Sequence, residues 1–146
     1  MTTTHLTPCT ASKNAGDNRE WALCNAYGLP RTTHDSKPYY CASDLEIGEL
    51  KISIKASGFS LMTSALCEGL ETFDEIWALY ESKVHSNVFA YITEDFTCYL
   101  MNLAEFKKFV YTFGYLDRDS KKNGGKCKIR GRKETKKMRE WLEAGC

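Results

Sequence analysis

Residues 45–55, LEIGELKISIK, alternate apolar and polar positions with period two, interrupted only at Gly48-Glu49. That pattern predicts an antiparallel hairpin with one face toward a core. With the turn at Gly48-Glu49, Ile47 faces Leu50, Glu46 faces Lys51 and Asp44 faces Ser53. Leu45, Ile47, Leu50, Ile52 and Ile54 then line the core side. Asp44, Glu46, Lys51, Ser53 and Lys55 crowd the other side. Helices at 73–85 or 103–113 are expected to cover the apolar side, with the helix that contains Trp21 alongside.

Helical spacing marks four further segments. In DNREWALCNAYG, Asp17 reads as an N-cap, Trp21, Cys24 and Tyr27 share a face, and Gly28 and Pro30 end the run. TFDEIWALYESKVH begins with Thr72 and Glu75 at capping-box spacing. NLAEFKKFVYTFG starts at Asn102, turns Leu103, Phe106, Val110 and Phe113 inward, and stops at Gly114. ETKKMREWLEA carries Met138, Trp141 and Leu142 as an apolar stripe. FSLMTS, VFAYIT, FTCYLM and KCKIRGR read as strands, the middle two dense in aromatic and β-branched residues. The order is α-β-β-β-α-β-β-α followed by a basic β-α extension. It predicts a single α+β (α/β) domain with a mixed central sheet flanked by helices. Residues 1–16 read as a flexible N-terminal arm, 17–116 as the core and 117–146 as the extension packed on it.

Composition narrows the class. With 42% hydrophobic and 27% charged residues the chain is an ordinary globular one. No stretch approaches the roughly 20 apolar residues of a membrane helix. The stretch MTTTHLTPCTASKNAG lacks the apolar centre of a signal peptide. Seven cysteines at 9, 24, 41, 67, 98, 127 and 146 include no C-x-x-C pair. They read as buried or incidental thiols in a reducing cytoplasm, not as a zinc ribbon. The net charge of +1 hides a split. Eleven Lys or Arg and two acids lie between Arg118 and Arg139, and the rest of the chain is acidic. Such asymmetry suits a surface made to meet a polyanion, and it also suits an acidic protein partner.

The order of elements and the hairpin letters resemble the restriction-endonuclease-like superfamily, the PD-(D/E)xK nucleases, over about residues 17 to 100. Asp44 matches the acid on the first hairpin strand. Ser53-Ile54-Lys55 occupies the place of the (D/E)-x-K triplet, so Lys55 matches its lysine and Ser53 stands where the second acid would be. Glu20, in REWAL, matches the assisting acid of the preceding helix, and Glu46 is positioned to supply a migrated carboxylate. Ser43 stands where the motif has Pro. A second triplet, Glu49-Leu50-Lys51, has the right letters but falls in the turn.

The resemblance implies a small endonuclease that uses Mg²⁺ or Mn²⁺, with Asp44, Lys55, Ser53 and Glu46 as catalytic candidates and Asp44, Glu46 and Glu20 as metal candidates. Such a metal neutralises charge developing on a phosphodiester and lowers the pKa of an attacking water. Mg²⁺ is usually held by one or two carboxylates plus phosphate and waters. The same hairpin face also has a plain reading, a solvated row with cross-strand pairs such as Glu46 and Lys51. Glu20 reads equally as a helix-capping residue, three after Asp17. His34 and His85 read as surface residues, and Tyr39-Tyr40 as rim packing or a stacking platform.

In SKKNGGKCKIRGRKETKKMR, a strand over 126–132 would put Lys126, Lys128, Arg130 and Arg132 on one face. Lys133, Lys136, Lys137 and Arg139 would continue that row onto a helix. Lys121 and Lys122 precede Asn-Gly-Gly, which permits a tight turn or a backbone that approaches a phosphate closely. The row is suited to tracking a phosphate backbone of DNA or RNA. Three functions stay open: a metal-dependent nuclease, a non-catalytic nucleic-acid binder on the same fold, and a small phage- or plasmid-encoded protein that blocks a host nucleic-acid enzyme. All three place the chain in the cytoplasm, away from membranes.

Overall fold

The computed structural model describes residues 1–28, 45–61, 70–118 and 127–145. The elements run β1 (Thr2–His5), α1 (Ala15–Tyr27), β2 (Leu45–Ile47), β3 (Leu50–Ala56), α2 (Phe73–Lys83), β4 (Val88–Ile92), β5 (Thr97–Met101), α3 (Leu103–Phe113), β6 (Gly114–Asp117), β7 (Lys128–Gly131) and α4 (Lys136–Glu143). Five strands form a mixed sheet in the order β1-β5-β4-β3-β2, and β6 and β7 form a separate ribbon. Only β3 and β4 run parallel, joined across α2; the other neighbours are antiparallel. None of the described helices is long and apolar enough to cross a membrane.

The predicted hairpin is present with the predicted register: Ile47 opposes Leu50, Glu46 opposes Lys51 and Leu45 opposes Ile52. Gly48 takes a left-handed φ of 54° at the first turn position, where a side chain would be strained. Asn87 ties this turn to the start of β4. Its side-chain carbonyl accepts from Lys51 N–H at 2.9 Å, and its amide donates to the Glu49 carbonyl at 2.8 Å.

Side-chain volume sorts the two faces of the sheet. Along β4, Phe89 and Tyr91 point one way and Ala90 and Ile92 the other, and all four are buried. The aromatic side meets α2, α3 and α4 in a core that includes Phe59, Trp77, Tyr99, Phe106 and Phe109. Phe89 stacks on Phe106 with ring centres 4.2 Å apart, and Phe109 lies 5.0 Å from Tyr91. The small-residue side takes α1, which packs Leu23 and Cys24 among Leu45, Ile52, Ala90, Ile92 and Cys98. The hairpin's apolar face is therefore covered by α1, not by α2 or α3 as the sequence suggested. Leu50, beside the turn, is half exposed.

Helix ends follow their capping chemistry with one correction. Thr72 accepts from Glu75 N–H, and Asn102 and Glu105 form a full capping box. For α1 the cap is Asn14, whose side chain accepts from the N–H groups of Gly16 and Asp17. Asp17 therefore lies in the first turn, and Glu20 is too deep to complete a capping box with it. The inward residues of α1 are Glu20, Ala22, Leu23 and Cys24, while Trp21 and Tyr27 are exposed. A buried acid on the inner face is what disguised that face in the sequence.

Three strands also differ from expectation. The stretch expected as an arm contains β1, an edge strand pairing Thr2–His5 with β5, followed by the buried Leu6. A run of threonines at an exposed edge needs no apolar alternation, so the periodicity was silent there. FSLMTS, expected as a third short strand, pairs in its described part with the basic ribbon. Its described part makes a single bridge, Ser60 to Arg130, on β7, and 62–64 lie outside the described residues. The unexpected β6 follows α3 without a linker and pairs along its length with β7.

That pairing fastens the basic extension to the core. Gly131 N–H donates to the Phe59 carbonyl at 2.7 Å, and Leu61 N–H donates to the Ile129 carbonyl at 3.1 Å. A Cβ on Gly131 would come within 2.2 Å of the Phe59 ring. Phe59 in turn packs on Tyr91, Phe106 and Phe109. Gly131→Ala should therefore push Phe59 out of its cluster and destabilise the protein by about 1–3 kcal/mol, as overpacking typically does. Urea unfolding followed by tryptophan fluorescence measures this, and a midpoint equal to the parent's would contradict the contact.

Candidate functional site

The hairpin's polar face does not lie open to water along its length. Ser53 and Lys55 are register partners of Phe89 and Tyr91, so they lie on the aromatic side of the sheet. Ser53 is buried, and Lys55 and Glu46 are half-buried. The structure thus brings Glu46, Lys51, Ser53 and Lys55 to one face, as the alternation predicted. It does not bring Glu20 to them. Glu20 is 8% exposed on α1, the layer covering the opposite face. Asp44 lies outside the described residues, as do His34, Tyr39 and Tyr40.

Among the described residues, no group of three or more His, Cys, Asp or Glu side chains could hold a metal ion. Mg²⁺ and Mn²⁺ need hard oxygen ligands, usually including carboxylates. The described part of the hairpin face offers one carboxylate, one hydroxyl and two lysines. By themselves these residues do not fit such an ion.

The basic extension is more fully built. In the β6-β7 ribbon, Tyr115 pairs with Arg130 and Asp117 with Lys128, so all four share a face. Arg130 Nε is 2.7 Å from Asp117 Oδ2, and both side chains are largely shielded from solvent. That arginine is committed to holding the ribbon. Arg132, just beyond β7, places its guanidinium over the Tyr115 ring, 5.2 Å from the ring centre. An open cleft of about 500 Å³ lies here, lined by Gly58, Tyr115, Arg130, Arg132, Lys133 and Thr135 among others. Arg132, Lys133, Lys136 and Lys137 are exposed, and Lys128 is half-buried. Lys121, Lys122 and Lys126 lie outside the described residues.

The exposed cations continue onto α4 at Lys136 and Lys137 but not at Arg139, which turns inward. Its guanidinium lies 3.2 Å from Asp95, 3.8 Å from Glu134 and 3.8 Å from Glu143. Tyr99 donates to Glu143 at 3.3 Å, and Tyr91 donates to Met138 Sδ at 3.4 Å. Glu134 also accepts from Glu94 N–H, while its own N–H donates to Ser57 Oγ at 2.8 Å. The 132–135 wall of the cleft is thus clamped between the end of the sheet and α4. Met138 and Leu142, both fully buried, anchor the same helix. Burial raises the Tyr91 hydroxyl above its ordinary range and pushes the Cys98 thiol up to about 12, so both stay protonated well above neutral pH.

Tyr115 and Asp117 were not singled out from the sequence. Asp117 sits one residue before the cationic segment and was counted with the acidic remainder. Only the ribbon pairing reveals that it neutralises Arg130. The signal for Tyr115 was an aromatic just before a basic run, which means little until a turn brings the two together.

No protein-family model, curated protein or solved structure matches the chain. The likeness to restriction-endonuclease-like nucleases rests on the order of elements and the hairpin letters alone.

The Asp95 carboxyl is held well below the usual carboxylate range. The leading cause is the hydrogen bond donated by Thr93, aided by Thr97 and Arg139. A lowered folded-state pKa stabilises the fold above the ordinary carboxylate pKa, about 4, and that contribution fades as pH falls through the folded value. Asp95→Asn should lower stability at about pH 7 and shrink the difference from the parent below about pH 3. Thermal melts across that range test it, and a stability difference independent of pH would contradict it.

Proposed function

We propose that the protein binds nucleic acid through the face formed by β6, β7 and the first turn of α4. One observation carries this reading: Arg132 and Lys133 are exposed at a cleft that also holds an aromatic ring, and Lys136 and Lys137 are exposed on the adjoining first turn of α4. Arg130 and Arg139 serve the fold instead, which reduces the number of cations available to phosphate. Lysine and arginine displace condensed counterions when they meet phosphates, so the affinity must depend on salt.

A Mg²⁺-dependent endonuclease is the second reading we propose. It is favoured by Glu46 and Lys55 sharing one hairpin face beside the parallel β3–β4 pair. It requires Asp44 to complete a ligand set that the described residues do not make.

If about four cations reach phosphate, log K for duplex DNA should fall with log salt at a slope near −4, roughly a hundredfold loss between ~50 and ~200 mM salt. Replacing Arg132 and Lys133 by Ala should flatten that slope by about 2 and weaken all sequences alike. A salt titration by fluorescence anisotropy reads both quantities. An unchanged slope and affinity in the double variant would remove nucleic-acid binding at this face and leave an acidic protein as its partner. For the nuclease reading, supercoiled plasmid should be nicked with Mg²⁺ and not with chelator, and Asp44→Ala and Lys55→Ala should each abolish nicking. Nicking that persists in chelator, or in Asp44→Ala, would exclude it.

A further inference from the structure

We infer that the cleft beside Tyr115 takes an unpaired nucleotide, so that the protein prefers single-stranded nucleic acid to duplex. The inference rests on the nucleic-acid reading above and specifies its substrate.

Three observations favour a single strand. The first is shape. A cleft of about 500 Å³ is a concave feature within the roughly 300–1,000 Å³ range of small-ligand pockets. It can admit an extruded base and its phosphate. The second is the break in the cationic row. A duplex track would use an extended line of charges, but Arg130 is held by Asp117 and Arg139 by Asp95, Glu134 and Glu143. Among the described residues of this segment the exposed cations are Arg118, which stands apart just after β6, and Arg132, Lys133, Lys136 and Lys137, which lie within a short stretch at the cleft and the first turn of α4.

The third is the Tyr115–Arg132 pair. Aromatic rings and guanidinium planes are the two surfaces on which unpaired bases stack, and stacking is worth about 1–3 kcal/mol per base. A base inside a duplex presents no free face to them. Tyr115 and the exposed Arg132 are already in ring contact at 5.2 Å. A base can stack on the exposed Arg132 guanidinium, which the Tyr115 ring backs, while Lys133 beside it meets the adjacent phosphate. The wall carrying Arg132 and Lys133 is anchored through Arg132 N–H to the Phe113 carbonyl at 3.0 Å and through Glu134 N–H to Ser57. The binding surface is therefore largely set before ligand arrives.

The test compares short labelled single-stranded DNA, single-stranded RNA and a duplex of the same sequence by anisotropy at one salt concentration. Single strands should bind at least tenfold tighter than duplex. Tyr115→Leu should remove about tenfold of single-strand affinity, several times more than it removes of duplex affinity; Tyr115→Phe should behave as the parent. Arg132→Lys keeps the charge on an exposed side chain but loses the plane, so it checks the same point without risk to folding. It should weaken single-strand binding and preserve the slope. Duplex binding as tight as single-strand binding, or indifference to Tyr115→Leu and Arg132→Lys, would overturn the single-strand preference and leave salt-dependent nucleic-acid binding standing. No salt-dependent binding to any of the three probes would overturn both.

Discussion

The contact between the Phe59 ring and the bare backbone of Gly131 holds together two parts of the chain that are far apart in sequence. Phe59 follows β3, which lies between β4 and the edge strand β2, and Gly131 closes the basic ribbon. Because no side chain intervenes, the ring lies against the β7 backbone and still reaches Tyr91, Phe106 and Phe109. Two backbone hydrogen bonds across the same junction fix the ribbon's register on the core. A segment that composition alone would class as a charged tail is thereby made into a rigid wall. Overpacking at this point would disturb the aromatic core and the cleft together.

Charge in the extension divides between support and presentation. Arg130 and Arg139 are held by carboxylates from β6, the β4–β5 turn, the start of α4 and its last turn. The Arg130–Asp117 pair is shielded, so its charge-assisted hydrogen bond is stronger than an exposed pair, whereas Arg139 is held by several carboxylates of which Asp95 and Glu143 are exposed. Arg132, Lys133, Lys136 and Lys137 have no such shielding and face solvent. Among the described residues, this division leaves Arg132 and Lys133 as the exposed cations that line the cleft with Tyr115. A basic count over the segment overstates the interaction surface, because it treats every cation as available.

The hairpin is the counter-case. Its letters are suited to metal-assisted chemistry, and its register places Glu46, Ser53 and Lys55 on one face. Yet that face turns toward the aromatic side of the sheet, and the acid on α1 belongs to the layer behind it. The sheet itself separates Glu20 from Lys55, a separation that a one-dimensional motif cannot express. The extension therefore carries more of the functional argument than the hairpin does.

Local periodicity and capping were legible in the sequence. The hairpin turn at Gly48-Glu49, the caps at Thr72 and Asn102, the end of α1 at Gly28 and the Met138–Leu142 stripe all arise from interactions within a few residues, so the sequence determined them by itself. Tertiary structure decided the rest. Asn14 displaced Asp17 as a cap because both are competent and the surrounding loop selects between them. The Thr-rich strand β1 exists only because β5 offers it an edge. α1, not α2 or α3, covers the hairpin because Ala90 and Cys98 leave a shallow face that suits it, while Phe89 and Tyr91 need the deeper layer on the other side. Which arginines support the fold and which remain exposed depended on carboxylates brought from distant segments, and no spacing along the chain encodes that long-range pairing.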